Sequence, residues 1–196
     1  IIDQTQSLQD ADTFRYKGQE IEFKRFVNHY YLPLIISDDE KIEYIRSVIK
    51  VRSEVEFLKK LEQYLGNTEN LFHRFDWWLF SRVDENYDQV NIPYYNPFEN
   101  KVLNFKPDFI FWLLKGKDYH ILFVDPKGTS RTEYEHKVDG FMELFEVDAK
   151  PKRFSFEDLN IQVHLALFTP DRAFSAGHYR RFWLDSIEGL VQNILI

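Results

Sequence analysis

The chain contains no cysteine among its 196 residues. This excludes disulfide frameworks, thiolate zinc sites and cysteine nucleophiles, and it fits the cytoplasm, where we expect the protein to act. Glycine and proline are scarce, at 7 each, so the sequence is neither of low complexity nor typical of disorder. No apolar run reaches the length of a membrane span and no secretory leader is visible, so we expect no membrane partner.

Positive charge is in deficit: 25 lysines and arginines face 32 acidic residues, for a net charge of −7. Because phosphate neutralisation dominates affinity for DNA, a free-standing DNA binder is usually basic. The acidity argues against tight DNA binding by this chain alone. It does not argue against a catalytic module carried to its substrate by a larger protein, and a first residue of Ile1 favours such a fragment.

Apolar periodicity predicts an α/β chain with a central mixed sheet and helices on both faces. A helix is predicted over residues 53–65, beginning with a capping box from Ser53 to Glu56. Strands are predicted at 77–83, 108–114, 121–125 and 161–168, with one helix before the last strand and another over 179–195. We expect residues 1–50 to be a helical or connecting segment packed on the core, and residues 51–196 to be the catalytic domain.

Two short motifs stand at the ends of neighbouring predicted strands. Pro107-Asp108 opens one strand, and Asp125-Pro126-Lys127 closes the next. Side chains alternate along a strand, so Asp125 and Lys127 share a face. A hairpin turn predicted at 115–118 would bring Asp108 alongside them.

This set of residues suits the hydrolysis of a phosphodiester. Asp108 and Asp125 offer the hard oxygen ligands that Mg²⁺ prefers, with Mn²⁺ as a substitute. Such a metal polarises a phosphate and activates water, and Lys127 can offset the developing charge. Each motif alone also occurs by chance, and Asp-Pro often marks a turn. Their order and their placement on adjacent strands favour a site.

Three stretches resemble the C-terminal endonuclease domain of type III restriction enzyme Res subunits and related helicase-nucleases, within the PD-(D/E)xK nuclease superfamily. They are SEVEFLKKLE, IPYYNPFENKVLNFKPDFIFWL and HILFVDPKG. The resemblance implies a restriction-endonuclease-like fold and Mg²⁺-dependent cleavage of double-stranded DNA. It also implies helicase or ATPase domains upstream in the parent chain, and a modification (methyltransferase) subunit as a candidate partner.

Carried over by the same resemblance, the family's early helical acid falls on Glu54 or Glu56, and its other site residues fall on Asp108, Asp125 and Lys127. Pro126 departs from the pattern, which usually has an ordinary apolar residue there. Helix geometry favours Glu54 as a metal or water ligand, because it shares an arc with the apolar positions. Either glutamate could instead be an ordinary acid at a helix start.

Arg131 and Lys137 follow the second motif, where helices of this fold often line the DNA groove, so the resemblance makes them candidate phosphate contacts. Charges on a helix surface are more often simply solvated. The alternative to a nuclease is a non-catalytic module of the same fold that binds DNA or a subunit. None of the six histidines has the spacing of a zinc site.

Overall fold

The computed structural model describes residues 13–16, 19–24, 26, 28–30, 34–38, 48–84, 88–127, 134–169 and 177–195. The helices in this part of the chain are α1 (Arg52–Leu65), α2 (Tyr134–Phe145) and α3 (Ile187–Leu195), with 3₁₀ helices at Leu71–Arg74 and Gly177–Phe182. The strands are β1 (Thr13–Tyr16), β2 (Gln19–Lys24), β3 (Leu34–Ile36), β4 (Trp77–Arg82), β5 (Ile92–Asn96), β6 (Lys101–Phe105), β7 (Phe109–Lys115), β8 (Asp118–Pro126), β9 (Glu146–Val147), β10 (Lys150–Pro151), β11 (Phe154–Phe156), β12 (Leu159–Phe168) and β13 (Trp183–Leu184).

A mixed sheet forms the centre of the molecule, in the order β11-β12-β8-β7-β4, with β13 also paired to β12. β7 runs antiparallel to both of its neighbours, β4 and β8, whereas β12 runs parallel to β8. The β7–β8 hairpin turns at Gly116, whose φ of 61° lies in the left-handed region that favours glycine. The predicted turn at 115–118 is therefore confirmed.

Helices cover both faces of this sheet. Alternate residues of β7 enter opposite cores: Phe111 packs with residues of α1 and α3, while Ile110 packs with residues of α2 and the β5–β6 hairpin. Burial of two large apolar clusters is the main force that fixes the helices to the sheet. The predicted α/β architecture, a central mixed sheet flanked by helices, is thus confirmed at this level.

The predicted capping box at the start of α1 is wrong. The helix begins at Arg52 with Val51 as its N-cap, and no side chain caps it. Ser53 therefore lies inside the first turn, and Glu56 pairs with Arg52 at 2.9 Å. The helix forms because Val55, Leu58 and Leu61 recur on one face and are buried.

Three strands lie among the described residues before residue 51, in the stretch that the sequence predicts to be a helical or connecting segment. β1, β2 and β3 make a three-stranded antiparallel sheet. Phe26, Leu34 and Ile36 join the core cluster beneath α1, so this segment contributes to the main core. Residues 39–47 lie outside the described part, and the boundary at residue 50 stays a prediction.

The single helix predicted over 179–195 is also wrong. A 3₁₀ helix ends at Phe182, and Trp183–Leu184 then pair with the end of β12. α3 begins only at Ile187, where the Ser186 hydroxyl oxygen accepts a hydrogen bond from the Gly189 amide at 3.2 Å. The free edge of β12 and this serine cap divide a segment whose apolar residues have helical spacing.

The β5–β6 hairpin packs against α2 without room for a side chain at Gly140. A Cβ there would lie 2.4 Å from the Pro93 carbonyl oxygen and 2.7 Å from Tyr94 Cβ. Both obstacles are close to the backbone and cannot move aside cheaply. We expect Gly140→Ala to lower the free energy of unfolding by at least about 2 kcal/mol in urea denaturation. Gly66→Ala is the control, because its nearest atom is 3.4 Å away, and a loss equal to that of Gly140→Ala would contradict this packing.

Two histidines meet across the parallel strands β8 and β12. His120 Nδ1 and His164 Nε2 are 3.1 Å apart. Burial lowers the pKa of His164 to about 4, and the His120 charge acts in the same direction. Burial also lowers the pKa of His120. Both rings are therefore neutral in the folded protein at pH 7.

This pair predicts a loss of stability in mild acid. Between pH 6.5, the ordinary histidine pKa, and pH 4, the approximate pKa of folded His164, the unfolded chain binds a proton that the folded chain does not. The free energy of unfolding therefore decreases as the pH is lowered through this range. From about pH 7.5 to about 5.5, the wild type should lose about 1 kcal/mol more unfolding free energy than His164→Gln. Urea denaturation at both pH values measures this difference, and equal losses would refute it.

Candidate functional site

The register of β7 and β8 brings the two predicted motifs together. Phe109 pairs with Val124, so Asp108, one residue before β7, faces the level of Asp125 near the end of β8. The Asp108 carbonyl oxygen also accepts a hydrogen bond from the Val83 amide at 2.8 Å, which ties this point to the end of β4. Three strand ends therefore converge at one edge of the sheet.

Lys127 pairs with Asp125 at this edge. Its Nζ donates to Asp125 Oδ2 at 2.5 Å, and Asp125 is only 4% exposed. Pro126 lacks an amide proton, yet the Lys127 amide still donates to the Phe168 carbonyl at 2.8 Å. β8 and β12 thus stay paired up to Lys127. Pro126 does not turn the Lys127 side chain away from Asp125.

Glu54 reaches the same place from α1, and Glu56 does not. Glu54 is 4% exposed, and its Oε2 accepts a hydrogen bond from Arg82 Nε at 3.1 Å. The Glu56 side chain is 45% exposed and pairs with Arg52 at the helix surface. Of the two glutamates that the sequence left open, the structure brings only Glu54 to the aspartates.

The pKa of Asp108 depends on the charged groups around it. Burial, together with the negative charges of Asp125 and Glu54, raises the pKa of Asp108 from 3.8 to about 9, against the opposing effect of the Lys127 charge. A hydrogen bond to Asp125 also favours the protonated form of Asp108. Three carboxylates face two bases here, Lys127 and Arg82, and a proton on Asp108 balances the remaining charge.

The donor set fits a divalent cation such as Mg²⁺, because it consists of carboxylate oxygens with one negative charge in excess. Within the described residues, however, no group of three or more histidine, aspartate and glutamate side chains is arranged as a ready metal cage. The ion pairs explain this: Asp125 faces Lys127, and Glu54 faces Arg82. A bound cation would neutralise part of the negative charge that Lys127 and Arg82 now neutralise.

A second lysine approaches the site from α2. Lys137 Nζ lies 5.5 Å from the centroid of the Phe105 ring, and Lys127 Nζ lies 5.7 Å from the same centroid. Arg131, the other predicted phosphate contact, lies outside the described residues.

Sequence reasoning missed Arg82 and Phe105. A basic residue near the end of the apolar strand WWLFSR was the available signal for Arg82. Phe105 carries no such mark, because an aromatic residue three positions before Asp108 is typical of any strand.

The chain belongs to the YagJ family, whose model matches residues 46–162. This span contains Glu54, Arg82, Asp108, Asp125 and Lys127. No curated protein and no solved structure matches the chain. None of the helices in the described ranges is long and apolar enough to cross a membrane.

The partly buried ion pair between Arg82 and Glu54 predicts a strong effect of Arg82 on folding. Arg82→Met removes the cation beside Glu54 and leaves that carboxylate near Asp108 and Asp125, so we expect a loss of about 3 kcal/mol in unfolding free energy. Arg52→Met is the matched control, since it breaks an exposed Arg–Glu pair worth about 0.5 kcal/mol at most. Urea denaturation without divalent cations compares them. Adding Glu54→Gln to Arg82→Met should restore most of the loss, and equal losses from the two arginine variants would disprove the role of Arg82.

Proposed function

We propose that this chain is a metal-dependent endonuclease domain of the PD-(D/E)xK type, hydrolysing phosphodiester bonds of double-stranded DNA within a restriction or phage-defence helicase-nuclease. The observation that carries the proposal is the convergence of Glu54, Asp108, Asp125 and Lys127 at one edge of the sheet. Acidic side chains are rarely buried together unless they hold a cation or carry out chemistry.

The order of elements supports a restriction-endonuclease-like fold. Helix α1 precedes three antiparallel strands, β4, β7 and β8, and α2 then leads to β12, which is parallel to β8. This is the order that apolar periodicity predicts, with the β5–β6 hairpin inserted. The candidate residues lie at strand ends, where a rigid sheet can hold reacting groups in place.

In this proposal Asp108, Asp125 and Glu54 hold Mg²⁺, and Mn²⁺ can replace it. The metal supplies Lewis acidity towards the scissile phosphate and lowers the pKa of a water molecule. Asp108 would hold the cation as a carboxylate, because a cation among the crowded carboxylates favours their charged form. Lys127 orients the attacking water and stabilises negative charge that develops on the phosphate oxygens.

The partners follow from the same proposal. A net charge of −7 gives weak affinity for DNA, so the domain depends on other parts of its protein for delivery. Upstream helicase or ATPase domains, and a modification (methyltransferase) subunit, are the partners that the resemblance implies. They would bring the duplex to the sheet edge.

Plasmid cleavage by the full-length natural protein tests the proposal. With Mg²⁺, Asp125→Ala should lower the cleavage rate at least about a hundredfold, because residues that act as one unit fail together. Asp118→Ala is the matched control: Asp118 begins the same strand at its opposite end and is exposed. Chelation of the metal should stop cleavage by the wild type.

Two outcomes would count against the proposal. If Asp125→Ala cleaved DNA at the wild-type rate, the assigned site would not be the one that cleaves DNA. A wild type that binds duplex DNA or a subunit but never cuts it would favour the non-catalytic module of the same fold.

A further inference from the structure

Phe105 joins two lysines that come from different elements. It is the last residue of β6 and is 2% exposed. Lys127 follows β8 and Lys137 belongs to α2, and their Nζ atoms lie 5.7 Å and 5.5 Å from the centroid of this one ring. Because both lysines contact the same ring, their ammonium groups lie within about 11 Å of each other.

The ring has a physical reason to hold them. The negative face of an aromatic ring attracts an ammonium ion within about 6 Å, and the attraction grows as the pair leaves water. Two ammonium groups repel each other, so bringing them together requires compensation. For Lys127 part of it comes from Asp125, and the shared ring attracts both lysines.

We propose that Phe105 is a positioning residue that sets Lys127 and Lys137 as a two-cation site for backbone phosphate. The inference rests on the proposed nuclease function and extends it by naming Phe105 and the shared role of the lysines. Three carboxylates nearby would otherwise repel a phosphate, so two fixed cations beside them favour its approach. In this arrangement Lys127 stabilises charge on the reacting phosphate, and Lys137 strengthens the binding of the DNA backbone.

Cleavage kinetics of the full-length protein test the inference. Phe105→Leu keeps an apolar side chain but removes the ring, so kcat/KM should fall about tenfold, with kcat reduced through Lys127 and KM raised through Lys137. Phe105→Tyr keeps the ring and should stay within about twofold of the wild type. Ile92→Val is the packing control, because Ile92 pairs with Phe105 across the hairpin, and it should leave kinetics unchanged.

A double-mutant cycle separates positioning from packing. If the ring acts through Lys137, then Phe105→Leu should raise KM much less in a Lys137→Met background than in the wild type. Additive effects would overturn the shared role of the two residues. Wild-type kinetics in Phe105→Leu, together with reduced stability, would reduce Phe105 to an ordinary core residue.

Lysine NMR gives a readout that does not depend on cleavage. The ring current should shift the ε-methylene protons of Lys127 and Lys137 upfield, with assignment by Lys127→Met and Lys137→Met. Phe105→Leu should return both to ordinary lysine positions. Unshifted lysines in the wild type would overturn the inference. Shifted lysines in a protein that never cuts DNA would leave the geometry standing and refute the nuclease proposal alone.

Discussion

The pairing of β7 with β8 is the constraint on which the candidate site depends. A two-strand register that places Phe109 opposite Val124 forces Asp108 and Asp125 to the same level, at a buried edge of the sheet. A shift of one residue would send every side chain of one strand to the other face. Phe111 and Ile110 prevent this shift, because they enter two different cores and would exchange places. Packing far from the site thus holds two carboxylates in contact.

The two carboxylates repel each other when both are charged, and the surrounding residues reduce this repulsion. Lys127 and Arg82 supply two positive charges, and Asp108 keeps a proton. The arrangement is neutral without any added ion, yet it stays poised, because a cation could replace the proton and loosen the ion pairs. No ready metal cage is seen among the described residues, so the proposed function requires Mg²⁺ to replace the proton and part of this ion pairing.

Much of this could be predicted from the sequence, because the decisive signals are local. Strand periodicity and the turn at Gly116 define the hairpin, and helix geometry indicated that Glu54 faces inwards. The failures come from competing tertiary interactions. The free edge of β12 captures Trp183–Leu184 from a segment with helical spacing. Arg82 and Phe105 belong to the site only because of partners distant in sequence, and single-sequence patterns do not report such contacts.

The acidity of the chain and its local cations act at different distances. In physiological salt, charges separated by more than about 8–10 Å are largely screened, so the net charge of −7 weakly affects a phosphate already at the sheet edge. In the proposed function, Lys127 and Lys137 beside Phe105 act on that phosphate directly. Nothing comparable draws distant DNA towards an acidic surface, because long-range steering needs an opposite net charge. In the proposed function, a site built this way acts on a phosphate that is brought to it, and its specificity then depends on the partner that presents the duplex.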